Sequence, residues 1–108
     1  MSINVVTLYG NLTADPEKMG DKGAKFRLAY SDKWTDKETG EDKERTHYVT
    51  VKVWGGQAKP VMEYLSKGKA VMISGKLELD QWEKDGEKRQ AHSINANSVQ
   101  FLSPKEES

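Results

Sequence analysis

The side chains best suited to chemistry in this sequence lie in Thr46-His47-Tyr48-Val49-Thr50-Val51-Lys52-Val53-Trp54. With a period of two, Val49, Val51 and Val53 fall on one face, and Tyr48, Thr50, Lys52 and Trp54 on the other. The valines suit a buried sheet face, because β-branched residues pack well on a pleated surface. Two large rings, a hydroxyl and an ammonium make an unusual outer face. That face has two readings. Either it meets a second small core or a partner subunit, as exposed aromatic faces often do, or it is a stacking platform for bases with Lys52 turned to a phosphate.

Two further rings bear on the choice. Trp34 stands at the foot of a charged hairpin, and Trp82 lies on the non-leucine face of a later strand, beside a second hairpin. Tryptophans with polar neighbours at strand ends are poor candidates for one core; packing beneath the hairpins or in a subunit interface is the plain alternative. Stacking needs a flat, polarizable surface that can be wet or covered, which selects Trp and Tyr over Leu. It is worth about 1–3 kcal/mol per base whatever the sequence. Behind Lys52, the cations that could meet phosphates are Arg27, Lys33, Lys76, Lys88 and Arg89, although a solvated surface is the ordinary place for any one lysine.

Other chemistry is poorly supported. No glycine-flanked serine or cysteine offers a nucleophile. His47 and His92 share no short ligand spacing with each other or with carboxylates, so strand-surface histidines are expected rather than a metal site. Lys67-Gly68-Lys69-Ala70 lacks both the earlier glycine and the following hydroxyl of a phosphate loop. No enzyme and no cofactor are expected.

The elements that must position these residues follow from periodicity. Ile3 to Leu12 reads as a first strand with Gly10 marking a bulge or sharp bend, ended by Asp15-Pro16-Glu17. Lys18 to Gly23 reads as a turn. Phe26, Leu28 and Tyr30 alternate with polar or small residues in a second strand, followed by a charged hairpin tip or loop around Thr39-Gly40. After the third strand, Gly55-Gly56 breaks the chain. Ala58, Val61, Met62 and Leu65 have helical spacing, with Pro60 in the first turn and Lys67-Gly68 as the stop. Ala70 to Trp82 is a long fourth strand, with Val71, Ile73, Leu77 and Leu79 on one face. Asp85-Gly86 is the strongest turn signal, and Lys88 to Leu102 returns as the fifth strand. This order predicts an all-β chain: a five-stranded OB-fold Greek-key barrel with one short helix between strands 3 and 4 and extended β-hairpins.

Composition sets the bounds. The 108 residues suit one domain, spanning 1–102, with 103–108 as a short polar tail. There is no cysteine, hence no disulfide or thiolate metal site. Seventeen basic and seventeen acidic residues cancel, so any polyanion must be bound by local placement and stacking rather than by bulk charge. The first residues lack the basic start and apolar run of a secretory signal, and no stretch is apolar enough to span a bilayer. A soluble, intracellular protein is the expectation.

Over nearly its whole length the chain also resembles the bacterial single-stranded DNA-binding proteins of the homotetrameric OB-fold type. The matching pieces are Gly10-Asn11-Leu12, Asp15-Pro16-Glu17, Phe26-x-Leu28-Ala29, Trp34 leading to Thr39-Gly40-Glu41, and Thr46-x-Tyr48. They continue with Trp54-Gly55, Glu63-Tyr64-Leu65-x-Lys67-Gly68, Gly75-x-Leu77, and Trp82 ahead of Asp85-Gly86. Each piece is weak; the shared order and spacing are specific. The resemblance implies sequence-independent binding and protection of single-stranded DNA in replication, repair and recombination, without catalysis. It assigns base stacking to Trp34, Tyr48, Trp54 and Trp82. It also implies a homo-oligomer, a tetramer or else a dimer, with the first strand as the dimer edge, in a bacterial cytoplasm at the nucleoid or encoded by a phage or plasmid.

Four departures qualify the match. Tyr48 is smaller than the tryptophan often found there, and Glu78 and Asp80 replace basic residues ahead of Trp82, where they would repel phosphate unless paired with Lys76 or Arg89. Val49 stands where some members have an interface histidine. The family's long Gly/Gln/Pro-rich linker and acidic Pro-Phe tip, which recruit replication or repair proteins, are missing before Ser108; the tail carries only Glu106 and Glu107. Neutral charge and these acids favour an alternative, a primosome-like OB-fold accessory module whose aromatic face binds a protein. An RNA-binding relative is a third reading.

Overall fold

A computed structural model describes residues 3–102. The chain runs β1 (Val6–Leu12), β2 (Glu17–Met19), β3 (Gly23–Thr35), β4 (Asp42–Trp54), a 3-10 turn (Gly55–Gln57), α1 (Ala58–Tyr64), β5 (Ala70–Lys84) and β6 (Glu87–Phe101). The sheet order is β1-β5-β6-β4-β3-β2, and a further pairing of β1 with β3 closes it into a barrel. Five strands therefore form the wall, as the periodicity predicts, with the β4–β6 pairing parallel and the other wall pairings antiparallel.

The core is what the alternation requires. Phe26 and Leu28 from β3, Val51 and Val53 from β4, Val71 and Ile73 from β5, and Ile94 and Ala96 from β6 are buried together. Ala58, Val61 and Leu65, spaced three and four apart, bring α1 onto the same cluster. Met62, the remaining apolar residue of that pattern, is exposed.

Several expectations need correction. Glu17–Met19 is not part of a turn but a short edge strand on Lys25, Ala24 and Gly23; three residues, two of them charged, carry too little period-two signal to show it. The charged stretch after Trp34 holds a tip at residues 36–41, but its two ends are strand. β3 and β4 stay paired out to Thr35 and Asp42, so Trp34 stands near the tip of this arm rather than at its foot. Leu77 and Leu79 keep the core-side parity of Val71 and Ile73 but are exposed, because β5 there has left the barrel and pairs only with β6 as a second arm. Gly68 does not cap the helix, which ends at Tyr64. Its positive φ of 91° instead turns the chain onto β1, where its N–H donates to the Leu12 carbonyl and its own carbonyl accepts from the Asn11 amide.

Two glycines permit the barrel to close. Gly10 sits where β1 passes from β5 to β3, and a Cβ there would collide with the Ala29 carbonyl oxygen. Gly75 sits at the shift in β5–β6 register, against the Asn95 carbonyl and 2.7 Å from the Ala96 Cα at the position its Cβ would take. The Asp85-Gly86 turn has positive φ at both residues, 53° and 79°, as a tight hairpin of matching twist requires. Gly10→Ala and Gly75→Ala should each destabilise the fold by about 1–3 kcal/mol in urea unfolding, because backbone rather than a flexible side chain must move. Gly56→Ala, where a Cβ would meet nothing within 4 Å, is the control and should be near neutral.

Candidate nucleic-acid interface

The outer face is set by β4, which is paired on both sides. Tyr48, Thr50, Lys52 and Trp54 stand opposite Ala29, Arg27, Lys25 and Gly23 on β3. Thr50 and Lys52 stand beside Ser93 and Asn95 on β6, which in turn face Glu78 and Lys76 on β5. The even positions of β5 thus continue this face through Asp80 to Trp82. Tyr48, Trp54 and Trp82 share it. Trp34 does not: its parity is that of Phe26, Leu28 and Tyr30, so it stands on the reverse face of the first arm. A polymer touching all four rings must cross the edge of that arm.

Each ring is half free. Tyr48 is 55% exposed, Trp54 48%, Trp82 46% and Trp34 45%. That leaves area for a base while the rest is held by protein. The Trp54 ring fills the space that a side chain at Gly23 would need, with its Cζ3 2.6 Å from the position of such a Cβ. The Arg27 guanidinium lies 5.2 Å from the Tyr48 ring centroid, and Ala29 opposite Tyr48 leaves room for both. Trp34 lies in an open groove of about 460 Å³ with Lys33 and Lys43. Trp82 lies in one of about 560 Å³ with Lys88 and Arg89.

The six candidate cations divide by partner. Among the described residues Arg27, Lys33, Lys76 and Lys88 make no ion pair. Arg89 lies 3.5 Å from Glu87, an exposed pair of small energetic consequence. Lys52 is different. Its ammonium is 3.0 Å from both carboxylate oxygens of Asp80. Ser93, buried beneath, donates to the same carboxylate at 2.8 Å. The Ser93 hydroxyl first, and then the Lys52 ammonium, hold the Asp80 carboxyl below its ordinary pKa of 3.8. Glu78 accepts from the Asn95 amide at 3.1 Å. The acids ahead of Trp82 are therefore partnered, but by Lys52 and Asn95 rather than by Lys76 or Arg89.

Some neighbours were not evident from the sequence. Lys43, the register partner of Trp34, joins its groove, although its ammonium is 3.2 Å from Asp36. Lys18, Lys22 and Lys59 rim an apolar groove of about 490 Å³ beside Gly23 and Gly55, next to the Trp54 seat. They come from β2, a loop and the helix, so no local pattern could have grouped them. His47 stacks on Tyr30 at 5.1 Å and has its Nε2 3.0 Å from Asp32, bracing the reverse face of the first arm. Among the described residues no cluster of His, Asp or Glu could hold a metal ion, and no helix is long and apolar enough to cross a membrane.

Known proteins share this architecture. The chain is 36% identical to single-stranded DNA-binding protein 1 of Xylella fastidiosa, with 98% of this chain and 82% of that protein covered. Its fold superposes on that of a Plasmodium falciparum SSB in complex with ssDNA with a TM-score of 0.86 at 29% identity, covering 95% of this chain and 97% of that one. A single-stranded DNA-binding protein from Thermus aquaticus matches with a TM-score of 0.77 at 35% identity over 94% of this chain and 51% of that one. The model of the single-strand binding protein family matches residues 3–102. The chain belongs to the single-strand binding protein family.

Proposed function

We propose that this protein binds single-stranded DNA without regard to sequence, as a non-enzymatic protector of the strand in replication, repair and recombination. The observation that carries the reading is the pairing of half-free rings with nearby cations: Tyr48 with Arg27, Trp34 with Lys33, and Trp82 with Lys88 and Arg89. Trp54, seated over Gly23, supplies the remaining platform. Every base has a π-face, so stacking on these rings does not select sequence. Arg27, Lys33, Lys76 and Lys88 are the cations free to meet phosphates, Arg89 shares its charge with Glu87, and Lys52 joins them only if Asp80 releases it. The partnered acids Glu78 and Asp80 and the neutral net charge are the features that favour the reading in which this face binds a protein.

Assembly follows from the open edge of the barrel. β1 is paired with β5 along Val6 to Asn11, but with β3 only at Asn11 and Leu12. A second copy could therefore pair along the remaining edge, covering exposed Val5 and Tyr9. A homotetramer built from such dimers, working in the cytoplasm, is the reading that fits the family. Sedimentation should give a mass above that of one chain at micromolar concentration; a monomer would remove the edge-pairing model.

Tryptophan emission titrated with oligo-dT tests the binding itself, and unchanged emission at low salt would sink it. Trp54→Ala and Trp34→Ala should each weaken binding by about 1–3 kcal/mol, while loss in neither would reassign the rings to packing. If the four candidate cations that make no ion pair each neutralise one phosphate, the logarithm of affinity should fall with the logarithm of salt with a slope of about −3 per barrel, at ~0.7 per phosphate neutralised. A ribo-oligomer series run in parallel separates DNA from RNA preference.

A further inference from the structure

Lys52 occupies the middle of the binding face, yet its charge is already spent. It lies between Tyr48 and Trp54 on β4, opposite Lys25 on β3, and beside Asn95, whose β5 partner is Lys76. Three lysines thus stand with Asn95 in one row across the sheet. Lys25 has Glu17 at 3.9 Å, and Lys76 makes no ion pair among the described residues. Lys52 alone is gripped at 3.0 Å by both oxygens of a carboxylate, and it is the least exposed of these lysines that form a pair, its side chain 23% accessible against 45% for Lys25.

The grip is a built one. Asp80 reaches Lys52 from the second arm, and its Oδ2 is fixed from below by the hydroxyl of Ser93, which is 1% exposed. A carboxylate accepting from both an ammonium and a buried hydroxyl stays ionised at neutral pH, and the two oxygens present the geometry that a DNA phosphate would otherwise offer to Lys52. A phosphate arriving there would have to displace Asp80 and leave a bare carboxylate on the path, so the strand passes Lys52 by. The site gains no net cation, and no additional counterion release follows.

We propose that Asp80 is an affinity-setting residue: by holding Lys52 it removes one positive charge from the phosphate path, so that the face binds through its rings more than through its cations. The inference rests on the single-stranded DNA reading. It assigns to Asp80 a positioning role through Lys52, in place of direct contact with DNA. It also gives the neutral balance of the chain a local meaning, since the acid stands where a cation would otherwise count. The same pairing ties the second arm to the barrel wall, placing Trp82, two residues beyond Asp80, at a set distance from Tyr48 and Trp54.

The test is the salt dependence of binding to a short oligo-dT of about ten nucleotides, within the span of a single OB barrel. Asp80→Asn keeps the size of the side chain and can still accept from Ser93, but loses the charge. Its log–log slope should steepen by ~0.7 relative to wild type, making binding about eightfold tighter at 50 mM salt if the two proteins are equal at 1 M. The double variant Lys52→Gln/Asp80→Asn should lose that increment, which separates release of Lys52 from simple removal of a repulsive acid. An increment retained in the double variant, or an unchanged slope in Asp80→Asn, overturns the proposal. If Asp80→Asn melts too low to assay, wild-type protein gives the answer through the Lys52 side-chain ammonium resonance. Its signals should remain those of a carboxylate-paired ammonium when oligo-dT saturates the protein at 150 mM salt, and transfer to a phosphate environment overturns it. Wild type that fails to bind oligo-dT at all would instead overturn the function reading.

Discussion

The structure depends on β4 being hydrogen-bonded on both sides, to β3 antiparallel and to β6 parallel. A strand so placed cannot shift register by one residue without exchanging its two faces, which would bring Lys52 and Trp54 into the core and put Val51 and Val53 outside. Burial of those valines therefore fixes the display of the rings. The outer face of β4 is a consequence of the core, and it is held by both neighbouring strands. Gly23, across from Trp54, is part of the same constraint, since the ring seat exists only because that position has no side chain.

Beyond the barrel the same strands continue as two arms, and the rules change. Within the barrel, parity decides between buried and exposed; in the arms both faces are open, and parity decides only which side a residue takes. Leu77 and Leu79 are core-parity residues with no core to enter. Trp34 is likewise a core-parity residue that became a reverse-face ring. The arms widen the surface available to a long polymer, and the edge between their faces is where a strand visiting every ring must turn.

Charge is organised locally rather than globally. The chain is neutral overall, but Arg27, Lys33, Lys76 and Lys88 stand beside rings or on the outer wall without acidic partners, while Asp80 and Glu78 are engaged by Lys52, Ser93 and Asn95. An arrangement of this kind moderates long-range attraction to polyanions and leaves short-range stacking to carry more of the affinity.

From the sequence alone, five wall strands, the helix after the third of them, the Asp85-Gly86 turn and the two faces of β4 were legible, because period-two and helical spacings are local signals and these segments are long enough to show them. The exposure of the four rings was legible too, since large aromatics among polar neighbours stand out in one dimension. The tertiary structure alone decided which cations are free. Lys52 and Asp80 are far apart in the chain and meet only because β6 lies between β4 and β5, carrying Ser93 beneath them both. It likewise decided that Trp34 faces away from Tyr48, that Glu17–Met19 adds an edge strand, and that Lys18, Lys22 and Lys59 gather beside Trp54. These are long-range contacts set by barrel closure, for which no local pattern of residues carries a signal.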